Sequence, residues 1–369
     1  MSNYTIQDIF QKYGEEYVKN NKLSPEQWKV YNSIIKCKTY ALGYHTITCK
    51  DCGETITGFN SCRNRHCPMC QFYSREKWID NECNNLLDCP YFHIVTTVPS
   101  QLNELFLYNK RELYNILFKA HSESILELAE DPKWLGAKVG ITSILHTWGQ
   151  TLELHPHIHS IVTGGGIKNN KWIEVDKDYL FKVQVLSSLF KGKFLSMLKS
   201  IDLNLPKHLS HLKDYRALNK FLEPLYRKEW ISYIGSPKSS PENIIDYIGR
   251  YAFKIAVSNE RIKDISNGII TFRYKDSKDN SKTKIMKLDA MEFIRRFLMH
   301  VLPHRFTKIK HYGFMANRNK KALIKLCRIL IGQKVFSDFT VKLNKSFPKF
   351  FCPVCNSENF HFNFYYSSA

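Results

Sequence analysis

Eight side chains able to bind a metal ion fall within 34 residues: Cys37, His45, Cys49, Cys52, Cys62, His66, Cys67 and Cys70. Two Cys-x-x-Cys knuckles, Cys49/Cys52 and Cys67/Cys70, stand fourteen residues apart. Turns at that spacing present four thiolates tetrahedrally to one Zn2+, so these four are expected to form a structural site. Cys37, His45, Cys62 and His66 would serve a second zinc with interleaved connectivity; the plainer reading has Cys62 and His66 only packing nearby. One structural zinc supplies on the order of 10 kcal/mol of folding free energy, which a module so poor in apolar residues needs. Arg63 and Arg65, with Lys50 and Arg75, offer a DNA backbone a cationic surface, unless they brace the module instead. A third knuckle, Cys352/Cys355, finds only Cys327 and His361 nearby to complete it, and two thiolates alone do not close a tetrahedral site.

A second chemistry is suggested by the segment HPHIHSIVTGGG. On a strand, His157 and His159 project from one face while Ile158 points to the other, and two neutral imidazoles converging this way hold a divalent ion. Taken alone, such a pair is more often a packed or surface feature. The glycines Gly164 to Gly166 are expected to turn the chain and to let a nucleic-acid backbone approach closely. The 20 tyrosines include three pairs at helical i, i+4 spacing, Tyr13/Tyr17, Tyr40/Tyr44 and Tyr247/Tyr251, where chance gives about one, so spacing by itself decides nothing. Tyr247 and Tyr251 differ by context: the run YIGRYAFKIAVSN sets both hydroxyls on one helix face with Arg250 and Lys254 beside them. A phenol of pKa about 10 becomes a nucleophile when cations or a metal stabilise its phenolate. The bland alternative is a core helix with half-buried tyrosines.

The elements that must position these residues read as follows. Residues 1–36 carry two amphipathic helices, the first marked by Ile9, Phe10, Tyr13 and Tyr17. FHIVTTVP, KVGITSILHTW and HIHSIVTGGG read as strands, 101–130 as helix, and 185–233 as mainly helical. A helix is expected from about 242 to 256, a hairpin from GIITFRYKD and KTKIMKL, and a helix around 290–300. With no regular βα repeat, the fold class is α+β: an antiparallel sheet with helices packed on one face, preceded by a small zinc-binding module. The expected division is 1–90, helical collar and zinc module; 91–315, catalytic domain; and 316–369, a basic C-terminal region with its own knuckle.

The chain has 369 residues and a formal charge of +20, with 43% hydrophobic and 14% aromatic content. That composition is too apolar for a disordered polycation, and the positive field points to nucleic acid. No run approaches a membrane span of about 18 apolar residues, and the N-terminus lacks a signal-peptide pattern, so a cytoplasmic, nucleoid-associated location is expected.

Four motifs in order, CKTYALGYHTITCKDCGETITGFNSCRNRHCPMCQ, HTWGQTLELHPHIHSIVTGGG, YIGRYAFKIAVSN and FIRRFLMHVLPHRFTKIKHYGF, extend from Cys37 to Phe314. Together they resemble the rolling-circle insertion-sequence transposases of the HUH endonuclease superfamily, two-tyrosine type. The resemblance implies an HUH-type sheet, His157 and His159 as ligands of a catalytic Mg2+ or Mn2+, and Tyr247 and Tyr251 as nucleophiles. It also implies single-stranded DNA at element ends as substrate, cut through a 5′-phosphotyrosine intermediate. The motif leaves the third metal ligand open; Gln150 is the first choice, with His146 and His155 behind it. The absence of a GxxxxGK[ST] loop suits a reaction that conserves phosphodiester energy without ATP. The competing reading is a non-enzymatic zinc-finger DNA-binding regulator, which would leave residues 91–314 without a task. An amidohydrolase needs βα alternation that is missing, and none of the 14 histidines begins the His-x-x-Arg element of a tyrosine recombinase.

Overall fold

The computed structural model describes residues 4–176, 180–237, 244, 249, 256–276, 279–333 and 350–366. The first two helices, α1 (Ile6–Asn20) and α2 (Pro25–Lys36), each start at a capping box. Thr5 and Asp8, and Ser24 and Gln27, satisfy one another's exposed N–H groups reciprocally. Ile9, Phe10 and Tyr17 are buried on the expected face. A ribbon follows, β1 (Tyr44–Cys49) and β2 (Thr55–Phe59), and then α3 (Gln71–Cys83).

The body begins with β3 (Tyr91–Thr97), α4 (Asn103–Tyr108), α5 (Lys110–Glu130), β4 (Lys138–Trp148), β5 (Leu154–Lys168) and β6 (Lys171–Glu174). It continues through α6 (Val183–Lys199), α7 (Tyr215–Arg227) and β7 (Ser232–Ile234). Next come β8 (Ile262–Ser266), β9 (Ile269–Asp276), β10 (Lys282–Asp289), α8 (Ala290–Met299), β11 (Ile309–Gly313), α9 (Lys320–Ile331) and β12 (Phe360–Tyr365). The helix expected over 101–130 is two, parted at Asn109, whose side chain bonds the carbonyls of Leu105 and Asn204.

The central sheet runs β11-β4-β5-β3-β7, with β6 added along the far end of β5, and every pairing is antiparallel. This is the expected α+β class. Leu145 and Ile158 face a core built with Leu117, Phe118, Phe190 and Phe194 of α5 and α6. Helices lie on both faces rather than one: Ile79 of α3 and Ile324 of α9 pack with Tyr91, Ile144 and Ile161 on the opposite side.

Gly164 to Gly166 do not turn the chain; they lie inside β5. A Cβ at Gly164 would stand 2.9 Å from the Pro90 carbonyl oxygen, and one at Gly166 would stand 2.6 Å from that of Lys138. At Gly164 and Gly166 neighbouring backbone occupies the space of a side chain, and at Gly165 the Trp172 indole does.

Two smaller sheets complete the described residues. β10-β9-β8 packs through Ile270 and Phe272 on α8, and α8 in turn meets the N-terminal collar, with the Phe10 and Phe297 rings 5.3 Å apart. The other sheet is β12-β1-β2: β12 pairs antiparallel with β1 over six residues, Tyr44 opposite Tyr365 through Cys49 opposite Phe360. The last described segment therefore adds a strand to the ribbon near the N-terminus.

Candidate metal centres and nucleic-acid site

The cysteines are grouped differently from what local spacing suggests. Cys37, Cys62, Cys67 and Cys70 form one cluster, and Cys49, Cys52, Cys352 and Cys355 another, with the sulfurs in each within 4.8 Å of one another. Within them Cys62 and Cys70 stand 3.7 Å apart, and Cys49–Cys355 and Cys52–Cys352 3.5 Å apart. A tetrahedral Zn2+ with Zn–S bonds of about 2.3 Å separates its sulfurs by about 3.8 Å, so both clusters fit the ion. Crowding also sets their acidity: hydrogen bonds from Cys62, Cys67 and Cys70 hold the Cys37 thiol far below its ordinary range, while its neighbours push Cys67 up.

The regrouping has clear causes. Cys37 caps the end of α2 and Cys70 stands at the start of α3, so the helices bring the first cluster together. The β1–β12 pairing carries the Cys352/Cys355 turn to the Cys49/Cys52 turn from 300 residues away. The four-thiolate set expected from Cys49, Cys52, Cys67 and Cys70 is thus divided between two clusters. His45 and His66 belong to neither among the described residues. His45 Nδ1 bonds Asn60 Oδ1 at 3.0 Å, and half-buried His66 accepts the Leu302 N–H, its pKa pushed down to about 3 by desolvation. Cys327 is buried on the inner face of α9, and His361 pairs with Asn363, so neither completes a knuckle among the described residues.

The third cluster is histidine. His146 of β4 lies directly opposite His157 of β5, and His159 is one pleat further along the same face. The three offer nitrogens within 4.8 Å of one another. His157 Nδ1 donates to the His155 carbonyl at 2.6 Å, and His159 Nδ1 bonds Nε2 of His93 at 2.9 Å. Hydrogen bonds of this kind fix ring orientation and tautomer, as outer partners do around metals. Gln150 lies past the end of β4, exposed, its carbonyl held by Arg261 at 2.5 Å, and the third nitrogen of the cluster comes from His146. His155 is exposed beside His157, ring to ring at 5.0 Å.

His93 escaped the sequence reading, although strand alternation held the clue: it faces Ile161, two residues along from His159, across the β3–β5 pairing. Tyr247, Tyr251, Arg250 and Lys254 lie outside the described residues. Arg63 is exposed. Arg65 donates to the carbonyls of Phe306, at 2.5 Å, and Pro303, at 3.3 Å, tying the cysteine module to the loop before β11.

Beside the histidines is a cavity of about 400 Å³. Trp148 forms part of its wall and stacks on the His146 ring at 4.9 Å. Lys308 stands 4.9 Å over the same indole, its pKa pushed down to about 7 by burial and by Arg65. His300 joins the wall, bonded to Thr147 and to the Leu152 carbonyl and pushed down to about 4 by burial.

Comparison with known proteins gives concordant matches. A family model described as "Transposase zinc-binding domain" matches residues 9–98, and one described as "Putative transposase" matches residues 140–322. The protein named "Putative transposase y4qJ" from Sinorhizobium fredii (strain NBRC 101917 / NGR234) is 41% identical over 337 residues, 89% of this chain and 85% of the relative. The "Transposase for insertion sequence element IS801" of Pseudomonas savastanoi pv. phaseolicola is 29% identical over 303 residues, 77% of this chain and 69% of the relative.

Proposed function

Given that this chain belongs to the insertion-sequence transposases with an IS91-type zinc-binding domain, we propose that it nicks and rejoins single-stranded DNA at element ends by tyrosine chemistry. A transposase of this family is a DNA-cleaving enzyme, and its cysteine clusters support structural zinc. The observation that carries the finer reading is the convergence of His146, His157 and His159 on the two middle strands of the central sheet.

His146 takes the third ligand position in place of Gln150. Three imidazoles suit a transition ion, which makes Mn2+ the better of the two expected ions and Mg2+ the poorer. Such an ion supplies Lewis-acid polarisation of the scissile phosphate. His93 and the His155 carbonyl orient the rings. Tyr247 and Tyr251 are the nucleophiles: a phenolate oxygen attacks phosphorus, the P–O3′ bond breaks, and the 3′-oxygen leaves with a proton as the hydroxyl. The phosphate stays on the tyrosine as a 5′ ester, so rejoining needs no ATP, and a second tyrosine allows one end to be held while another is cut. Arg250 and Lys254 stabilise the phenolate, and Arg63 contributes to DNA binding.

Residues 91–315 carry this chemistry in the proposal, with 1–90 as collar and zinc module and 350–366 as an added strand and knuckle of that module. No helix among the described residues is long and apolar enough to cross a membrane.

The test replaces Tyr247 and Tyr251 with phenylalanine, singly and together, and incubates each protein with a labelled single-stranded element end and Mn2+. The double variant should form no covalent protein–DNA adduct; an undiminished adduct refutes the tyrosine assignment. In the same assay, alanine at His157 and His159 should reduce cleavage by at least about a hundredfold, as expected on losing metal ligands.

A further inference from the structure

The cavity beside the histidine cluster has no task in that chemistry. It lies where four parts of the chain meet: Arg65 and His66 of the cysteine module, Thr147 and Trp148 at the end of β4, Phe297 and His300 around the end of α8, and the loop from Leu302 to Ile309. Three basic side chains line it, Arg65, Arg305 and Lys308, and among the described residues no carboxylate does. Aromatic faces from Trp148, Phe297 and Phe306 supply the rest of its character. Basic side chains and flat rings together are what a nucleotide asks for: the phosphate meets charge and the base stacks. A volume of about 400 Å³ is in the range of small-ligand pockets, generally about 300–1,000 Å³.

Position gives the cavity its meaning. Trp148 backs directly onto His146, so an occupant is one ring removed from the metal-binding nitrogens. Ala256, also in the wall, follows Tyr251 by five residues in the chain.

We propose that this cavity receives one unstacked nucleotide of the single-stranded DNA flanking the scissile phosphate, its base against Trp148 and its phosphate at Arg305 and Lys308. The inference rests on the DNA-nicking reading for the location of the strand, yet it concerns binding alone. Seating one base out of line bends the strand where it crosses the histidines, which registers a single phosphodiester on them. Bases in such pockets are read by stacking and by the polar groups around them.

The experiment uses the full-length protein and a set of single-stranded oligonucleotides from an element end, each with one abasic site. Binding is read by fluorescence anisotropy without Mn2+, so that cleavage does not intervene. For the wild type, one position next to the nick should lose about tenfold in affinity when its base is removed, the usual worth of one stacked base. With Trp148→Leu or Arg305→Gln the intact strand should bind about tenfold more weakly, and the abasic penalty at that position should vanish in the tryptophan variant. Arg305 is exposed, so its variant remains informative if the tryptophan variant fails to fold. An abasic profile unchanged by both variants overturns the proposal. Adduct formation is scored separately. A linked abasic penalty without any adduct sinks the nicking reading and leaves the pocket standing; an adduct with no linked penalty does the reverse.

Discussion

His93 illustrates how much the histidine cluster owes to a residue outside it. It spans the 2.9 Å to His159 Nδ1 and leaves that ring's other nitrogen to the cluster. Removing such a partner costs about 10–100-fold in metal affinity in comparable sites. His93→Ala is therefore expected to raise the Mn2+ concentration for half-maximal cleavage by that factor, while cleavage at saturating Mn2+ falls much less. A metal titration of nicking checks it, and an unchanged midpoint refutes the role. Arg65 shows the opposite case: a cationic residue that looked ready for DNA spends donors on the Phe306 and Pro303 carbonyls, which makes it a brace as well as a charge.

Among the elements, β12 is the one that closes a metal site. Its pairing with β1 carries Cys352 and Cys355 to Cys49 and Cys52, so strand and metal stabilise each other. The double variant Cys352→Ser, Cys355→Ser is expected to reduce the zinc count from two to one by native mass spectrometry. Proteolysis should then release the C-terminal segment, because a metal-closed ribbon loses much of its folding free energy with the ion. Retention of two zinc ions would show that Cys352 and Cys355 are not ligands. The first cluster, held by the ends of α2 and α3, should keep its ion in either case.

For the whole molecule, pH sensitivity follows from histidines sealed in the core. His121 is fully buried between Thr96 and Ser160 with its pKa pushed down to about 3, and His300 is pushed down to about 4. An unfolded histidine takes up a proton near pH 6.5, whereas these stay neutral in the folded state, so the unfolded chain binds more protons below that pH. Stability is complete above about pH 6.5 and falls as pH drops, by about 1.4 kcal/mol per pH unit for each histidine, until the folded values are reached. Chemical denaturation at a series of pH values between about 6.5 and 4.5 should show the midpoint falling steadily; for His121, Gln in its place should flatten the slope. A midpoint independent of pH would contradict the burial of both rings.

What the sequence determined by itself was local. Capping boxes at Thr5 and Ser24, strand alternation through His157 and His159, and the hairpin of β9 and β10 depend on near neighbours, and they stand as their residues suggest. The cysteine knuckles were equally visible, because a turn that offers two thiolates is written in four residues. Which knuckles share an ion was decided by tertiary structure, since strand pairing between residues 300 apart outweighs proximity along the chain. The same holds for His146: only the β4–β5 register sets it opposite His157, and register is a property of the sheet. Gly164 to Gly166 looked like a turn for the same reason in reverse, as the Pro90 and Lys138 backbone and the Trp172 ring that require their bareness are supplied by other strands and loops.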